Sequence, residues 1–150
     1  MQDIKEKLKD YCTTHTEQRI QEIVLGMDQA QESLVSDTKS SAGDKYETSR
    51  EMIQQDLTRY QGQLLQAKND LNALQQLSLK QEVPHIVVGS LIINDRARYF
   101  IAISLGRVPI DGTDFMVISV SSPIGQLFKG KVVGDSINFN GAAQQILSIV

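Results

Sequence analysis

The stretch YETSREMIQQDLTRYQGQLLQAKNDLNALQQLS, residues 46–78, decides the fold. Read at alternating steps of four and three from Tyr46 to Ser78, it forms a seam in which every position from 53 to 74 is apolar. These positions are Ile53, Leu57, Tyr60, Leu64, Ala67, Leu71 and Leu74. The flanking positions are rich in Gln, Asp, Lys and Arg, so the apolar stripe is narrow. A narrow stripe indicates a helix paired with one other helix, whereas a helix on a globular core would need a wider apolar face.

The partner helix is predicted over residues 3–35, which contain no Pro and only one Gly, Gly26. The seam of this helix begins in one register and resumes in another after a phase slip between Thr13 and Gln18. A slip of this kind predicts a frayed or bent region near His15. The seam positions are Ile4, Leu8 and Tyr11 before the slip, and Ile20, Val24, Met27, Gln31 and Leu34 after it.

Residues 36–45 break the helical periodicity with small, hydroxyl, Gly and Asp residues, so a turn is predicted there. Two helices of about 33 residues would then lie antiparallel as a rod about 50 Å long. We therefore expect residues 1–80 to form an antiparallel coiled-coil hairpin with an exposed tip at about 36–45.

The character of the chain changes at Glu82-Val83-Pro84, and all three prolines and seven of the ten glycines occur from Pro84 onward. Apolar runs rich in Ile and Val predict strands over 85–93, 98–104, 115–121, 136–139 and 144–150. Asn140-Gly141 is a strong signal for a two-residue hairpin turn. Ser122-Pro123 predicts an N-cap followed by the first residue of a short helix that stops at Gly130. The fold class is thus α+β: a helical hairpin, and then, over 84–150, a mostly antiparallel sheet with one helix.

Composition excludes several functional classes. Residues 1–83 hold ten basic and fourteen acidic side chains, which argues against a basic surface for duplex DNA. No apolar run is long enough to cross a bilayer and no signal peptide is evident, so we expect a cytoplasmic protein without membrane contact. The single cysteine, Cys12, and the histidines His15 and His85 have no ligand or nucleophile spacing around them.

The stretch 125–132 resembles a phosphate-binding loop but lacks its Mg²⁺-binding hydroxyl, because Val132 stands at that position. No independent active site is visible, so we do not expect an enzyme. Three carboxylates near the predicted tip, Asp37, Asp44 and Glu47, are positioned to approach one hard cation. Acidic residues are also common in turns and at helix starts, where they need no metal.

The second domain carries motifs that resemble a known family. Ile118-Ser-Val-Ser-Ser-Pro-Ile-Gly125, followed by Gly130-Lys-x-x-Gly-Asp135, is similar to the carboxy-terminal domain of the GreA/GreB family, the bacterial transcript cleavage factors. The resemblance implies an FKBP-like second domain that binds the rim of the RNA polymerase secondary channel. It also implies a helical hairpin that enters the channel, where tip carboxylates help to hold a second Mg²⁺ for cleavage of backtracked RNA.

On this resemblance, the polymerase-binding residues are Ser122, Pro123, Ile124, Gly125, Lys129 and Lys131. The tip departs from the family pattern. Alignment on Tyr46 places Lys39, Ser41 and Ala42 where the family has Asp, Ser and Glu. Asp37 and Asp44 are the remaining candidate ligands for a Mg²⁺ ion shared with the polymerase, and no cofactor is expected on the chain alone. Lys39 would repel the metal and make the protein a competitor for the channel.

The leading expectation is a monomeric regulator of elongation that binds RNA polymerase and contacts nascent RNA indirectly. Two alternatives stay open. A homodimeric coiled coil would make the chain an interaction protein unrelated to transcription. An FKBP-like fold would suit a prolyl isomerase or chaperone, with an aromatic-lined pocket drawn from Tyr99, Phe100, Phe115, Phe128 and Phe139.

Overall fold

The structure is a computed structural model that describes residues 1–38, 43–80 and 83–150, and the side chains within them except those of 37–38 and 43–46. Two long helices are followed by six strands and one short helix, which confirms the predicted α+β class. The helices are α1 (Gln2–Thr38), α2 (Gly43–Gln75) and α3 (Pro123–Phe128). The strands are β1 (Leu91–Asn94), β2 (Arg98–Ile101), β3 (Gly106–Ile110), β4 (Thr113–Ile118), β5 (Ser136–Phe139) and β6 (Ala142–Ile149).

By its contacts the chain divides into two compact units, residues 15–71 and residues 1–14 with 72–150. The unit of residues 15–71 contains only helix in its described part. The other unit contains the sheet, α3, the first turns of α1 and the last turn of α2. The division into a hairpin domain, 1–80, and an FKBP-like domain, 84–150, stays a prediction.

The seam of α2 is confirmed. Leu57, Ala67 and Leu74 are buried, the remaining seam positions from 53 to 71 are half-buried, and most of the flanking residues are exposed. This pattern is expected when one narrow apolar stripe meets one partner. The helix ends at Gln75, so the last predicted position, Ser78, lies beyond it and Leu77 is the buried residue there.

The predicted seam of α1 is confirmed at five of its eight positions and wrong at three. Leu8 is buried, and Ile4, Ile20, Met27 and Leu34 are half-buried. Tyr11, Val24 and Gln31 are exposed, whereas Cys12, Thr16 and Ile23 are buried. Cys12 and Thr16 continue the buried seam through residues 13–18. Helix α1 also continues through His15 without interruption, so the predicted fraying is absent. The apparent slip in the sequence is due to Cys12 and Thr16, which occupy seam positions although neither has a large apolar side chain.

Two contacts within the unit of residues 15–71 show that α1 and α2 run antiparallel. The Arg19 guanidinium lies 3.3 Å from the Asp70 carboxylate, and Gly26 lies against the ring of Tyr60. Residues with higher numbers on α1 therefore contact residues with lower numbers on α2, as the predicted antiparallel hairpin requires. Both helices extend into the predicted turn, since α1 ends at Thr38 and α2 begins at Gly43.

The six strands form one mixed sheet in the order β3-β4-β2-β1-β6-β5. Four of its five strand pairings are antiparallel, and β2 pairs with β4 in parallel. The predicted mostly antiparallel sheet is confirmed. Alternation along the strands separates two cores, one beneath each face. Leu8, Cys12, Leu74 and Phe100 belong to the first core, and Phe128 of α3 belongs to the second.

Strand β3 was not predicted, because Gly106 and Pro109 weaken its strand signal. It lies at the edge of the sheet, where a proline without an N–H costs no ladder hydrogen bond. The predicted strand 85–93 is wrong in its first half, since only residues from Leu91 pair in a ladder and His85 forms an isolated bridge with Val132.

The Asn140-Gly141 turn is confirmed. Both residues have positive φ, 51° and 78°, and Phe139 pairs with Ala142 across a two-residue loop. Asp111-Gly112 forms an equivalent turn between β3 and β4, with φ of 50° and 79°. Its strand partner β3 was not recognised, so neither was the turn.

Candidate partner-binding surface

The predicted polymerase-binding residues lie on and around α3. Ser122 is the N-cap of this helix, and its hydroxyl accepts a hydrogen bond from the Gly125 N–H at 3.1 Å. The same hydroxyl donates to the Ser119 carbonyl at 2.6 Å. Pro123 follows at the first helical position, where its missing N–H costs nothing. The predicted cap is confirmed, and it fixes how the chain leaves β4 and enters α3.

Gly125 is required by packing. It is buried, and a Cβ built on it would collide with the backbone carbonyl oxygen of Ser119. Because that atom belongs to the backbone, no side-chain rotation relieves the collision. Gly125 therefore lets α3 lie close to the end of β4.

The outer face of α3 is apolar with a basic edge. Pro123 is exposed and Leu127 is 37% exposed, whereas Ile124 is half-buried against the second core. Beyond the helix, Val132 and Val133 are 40% and 55% exposed. Exposed apolar side chains are normal where they are scattered singly, and they indicate an interaction site where they form one patch. We name Pro123, Leu127, Lys129, Val132 and Val133 the α3 surface.

The two lysines predicted to bind the polymerase differ in exposure. Lys129 is exposed and Lys131 is half-buried. Neither pairs with a carboxylate among the described residues. Lys129 therefore offers an uncompensated positive charge to an acidic partner, while the backbone of Lys131 has a structural role. Its carbonyl accepts the Ile86 N–H at 2.8 Å.

The Gly130 to Asp135 motif forms a tight loop that holds the valines outward. Gly130 and Gly134 have φ of 79° and 94°, which a side chain would strain. The Asp135 carboxylate accepts the Val132 N–H at 2.9 Å. The two glycines and Asp135 of this motif therefore stabilise the backbone conformation of the loop.

Of the six residues predicted here, the structure exposes Pro123 and Lys129, half-buries Ser122, Ile124 and Lys131, and buries Gly125. Sequence reasoning missed Leu127, Val132 and Val133 as surface residues. The available signal was the Val132-Val133 pair between Gly130 and Gly134, while Leu127 is predicted to be a packing residue.

The predicted tip lies almost entirely outside the described residues. Lys39, Ser41 and Ala42 are among the residues that the structure does not describe, and the side chains of Asp37 and Asp44 are not described either. Glu47 lies in the second turn of α2 and is exposed. Among the described residues no group of three metal-ligating side chains occurs. The tip metal site stays a prediction.

Four of the five aromatic residues proposed for an isomerase pocket belong to the two cores. Phe100 and Phe115 belong to the first core and Tyr99 and Phe128 to the second, while Phe139 is half-buried. The rings of Tyr99 and Phe128 lie 5.0 Å apart at a tilt of 54°, a favourable aromatic geometry. The Tyr99 hydroxyl donates to the Gln144 amide oxygen at 3.1 Å, which satisfies its polar atom in the core.

In the part of the chain that the structure describes, none of the helices has both the length and the apolar character needed to cross a membrane.

Comparisons with known proteins give a likeness among solved structures but none in sequence. No protein-family model matches the chain, and no curated protein matches it. Among solved structures, the chain is similar to one described as the structure of the transcription factor Gfh1, with 18% sequence identity and a TM-score of 0.38. The match covers 92% of each chain.

Proposed function

We propose that this protein is a cytoplasmic, Gre-like regulator of transcription elongation that binds bacterial RNA polymerase. The α3 surface carries the proposal, because the motif that resembles the GreA/GreB family folds into a capped helix with exposed Pro123, Leu127 and Lys129. An apolar centre with a charge at its edge is the usual composition of a protein-binding surface. The polymerase is the partner that the family resemblance implies.

The helical unit of residues 15–71 supplies the second part of the proposal. Its two antiparallel helices bury one narrow seam and expose mainly Gln and charged side chains. With each helix about 10–12 Å in diameter, a pair is the thinnest helical unit that still buries a seam. Such a probe suits a narrow aqueous channel, and in this proposal it enters the secondary channel of the polymerase.

In this proposal the residues at the tip of the hairpin determine whether the protein stimulates cleavage or competes for the channel. With Asp37 and Asp44 near the catalytic centre, the protein would help to hold a shared Mg²⁺ and stimulate transcript cleavage. With Lys39 at that place, it would exclude the metal and compete for the channel. In both cases the polymerase supplies the active site and the nascent RNA is contacted only indirectly.

The binding test compares two apolar residues of similar size and nearly equal exposure. Leu127 on α3 is 37% exposed and Met116 on β4 is 36% exposed. Leu127→Asp is expected to weaken binding to purified bacterial polymerase by about tenfold or more, as loss of a central apolar contact does. Met116→Asp is the matched control and should bind like the unmodified protein in biolayer interferometry.

Failure of the unmodified protein to bind, or equal losses in both variants, would refute the assignment of the α3 surface. A photo-cross-linker at Glu47 separately tests channel entry. It should react with polymerase subunits near the catalytic centre, whereas the same group at Arg107 on β3 should not.

Self-association is a second candidate function, favoured by exposed apolar side chains on the unit of residues 15–71. Val24, Leu25, Val35, Met52 and Leu65 are 40%, 58%, 56%, 62% and 64% exposed. Sedimentation velocity separates the candidates, since an intramolecular hairpin acting on polymerase predicts a monomer. A dimer that Leu65→Glu dissociates would favour the interaction protein.

A further inference from the structure

The turn between β5 and β6 contains the only Asn-Gly pair in the sequence, Asn140-Gly141. Both residues are exposed, and a Cβ built on Gly141 would meet no atom within 4 Å. An asparagine amide can react with the backbone nitrogen that follows it, because attack of that nitrogen on the amide carbon closes a cyclic imide. Glycine leaves this nitrogen unshielded, since it has no side chain.

The two groups that would react are free of hydrogen bonds. Among the described residues, the Gly141 N–H has no acceptor and the Asn140 side chain has no partner. The flanking residues Phe139 and Ala142 pair with each other and close the hairpin. A backbone N–H that faces water can lose its proton to hydroxide, and the resulting anion is the nucleophile of this reaction.

Asn94 also lies at the end of a strand, but its reacting groups are occupied. It is buried, and its amide nitrogen donates to the Gln144 amide oxygen at 2.6 Å. Its amide oxygen accepts two backbone N–H groups at 2.8 and 2.6 Å. The N–H that follows it, that of Asp95, donates to the Gln145 carbonyl at 3.2 Å. Asn94 is therefore protected from the same reaction.

The other three asparagines are held in regular structure. Asn69 and Asn72 lie inside α2, where the following N–H groups donate along the helix. Asn138 is followed by Phe139, a bulky residue that pairs with Ala142 in the ladder. Asn140 is thus the one asparagine whose neighbouring nitrogen is both small and free.

The equivalent turn between β3 and β4 lacks this reactivity for a chemical reason. Asp111 stands there before Gly112, and its carboxylate lies 2.7 Å from the Lys7 ammonium. A carboxylate already carries negative charge, so an amide anion attacks it poorly. The neutral amide of Asn140 has no such protection.

The position of the turn in the sheet also favours reaction. Ring closure requires the backbone at Asn140 to rotate away from its conformation in the turn. Strand β5 is at the edge of the sheet, so β6 is its only strand neighbour. Local opening of an exposed hairpin end costs much less free energy than global unfolding. The reaction therefore needs only the turn to open.

We propose that Asn140 is a site of spontaneous deamidation. The deprotonated Gly141 nitrogen forms a bond to Cγ of Asn140, the bond from Cγ to the amide nitrogen breaks, and ammonia leaves with a proton taken from water. A water molecule then opens the cyclic imide at one of its two carbonyls and gives aspartate or isoaspartate. The step needs no oxidant, reductant or enzyme, and it is independent of polymerase binding.

The two products differ in how they fit the hairpin. Asp-Gly suits the same two-residue turn as Asn-Gly, so aspartate keeps the hairpin and adds a negative charge. Isoaspartate adds one CH₂ to the backbone. Because loop length fixes the register of a hairpin, this product should disturb the pairing of Phe139 with Ala142.

The test is incubation of the full chain at mildly alkaline pH, with peptide mapping by mass spectrometry and an assay of released ammonia. Asn140 should convert at least about tenfold faster than Asn94 or Asn138, and its rate should rise in proportion to hydroxide concentration. Asn140→Asp removes the reacting amide and should lower ammonia release by about tenfold or more. Asn138→Asp, in the same hairpin, is the matched control and should release ammonia like the unmodified protein.

The chain in guanidinium chloride measures the reaction without the fold. If Asn140 stays intact in the folded protein after the denatured chain has fully reacted, the turn protects it and the proposal is overturned. Conversion of Asn94 or Asn138 at the rate of Asn140 would also overturn it. Equal ammonia release by Asn140→Asp and the unmodified protein would do the same.

Discussion

The ring of Tyr60 lies where a side chain at position 26 would have to lie. A Cβ built on Gly26 would be 2.8 Å from Cζ and 2.9 Å from the hydroxyl oxygen of Tyr60. Glycine inside a helix costs about 1 kcal/mol relative to alanine, so this position exchanges helix stability for a place to pack a large ring. Arg59 completes the arrangement, with its guanidinium carbon 5.4 Å from the centre of the Tyr60 ring.

This contact predicts coupling between positions 26 and 60. In a Tyr60→Leu background, Gly26→Ala should raise the free energy of unfolding by about 1 kcal/mol, because alanine favours the helix and no ring is in the way. With Tyr60 present, the gain should be lost, since the ring has to move. Urea titration of the unmodified protein, the two single variants and the double variant gives the coupling energy between the two positions, which should be about 1 kcal/mol. Additive effects would show that the ring moves aside freely.

The close approach of α3 to β4 predicts that Gly125 tolerates no side chain. Gly125→Ala should lower the free energy of unfolding by about 2–3 kcal/mol, because its Cβ meets a backbone oxygen that cannot rotate away. Gly62→Ala is the matched control, since no atom lies within 4 Å of a Cβ at that exposed position of α2. The control should gain about 1 kcal/mol from helix propensity. Similar melting temperatures for both variants would contradict the packing argument.

Burial predicts a slow reaction of the Cys12 thiol. Desolvation raises its pKa to about 11, so at pH 8 only about one thiol in a thousand would be ionised in the folded protein. Reaction with a disulfide reagent should therefore be slow in buffer and fast in denaturant. Fast reaction of the folded protein at pH 8 would show that the thiol is open to solvent.

The same pKa predicts an alkaline loss of stability. Between the ordinary thiol pKa of about 8.5 and the folded value of about 11, the unfolded chain loses a proton that the folded chain keeps. The free energy of unfolding then falls as pH rises through this interval. Cys12→Ala removes this component, so the stability difference between the two proteins should shift in favour of the variant from pH 8 to pH 10. A constant difference would contradict the assignment.

The tip predicts how cleavage activity depends on charge. If Lys39 lies where the family has a carboxylate, Lys39→Asp should increase polymerase-dependent transcript cleavage by about tenfold or more, because a cation that repels Mg²⁺ becomes a ligand. Asp37→Ala with Asp44→Ala should abolish whatever cleavage the unmodified protein stimulates. Polymerase affinity, measured in parallel, should remain the same in these variants. Unchanged cleavage in both would remove the tip from the mechanism.

Much of the hairpin and part of the candidate surface were predictable because they depend on short-range patterns. The seam of α2 follows from apolar residues three and four positions apart, which any helix brings to one side. The Ser122 cap and the Asn140-Gly141 turn follow from the conformations that these residues favour over three or four positions. None of these features depends on distant parts of the chain.

Tertiary structure alone decided the remaining features, and each depends on a neighbour far away in the sequence. Cys12 and Thr16 are buried on the α1 seam although neither is a large apolar residue, so hydrophobicity alone does not identify them. Strand β3 accepts Pro109 because it is at a sheet edge. Lys5 is buried, and its ammonium donates to the oxygen of Val150, 145 residues away. Local periodicity determines which face of a helix is apolar, but the shape and charge of the opposing surface determine which residues are buried there.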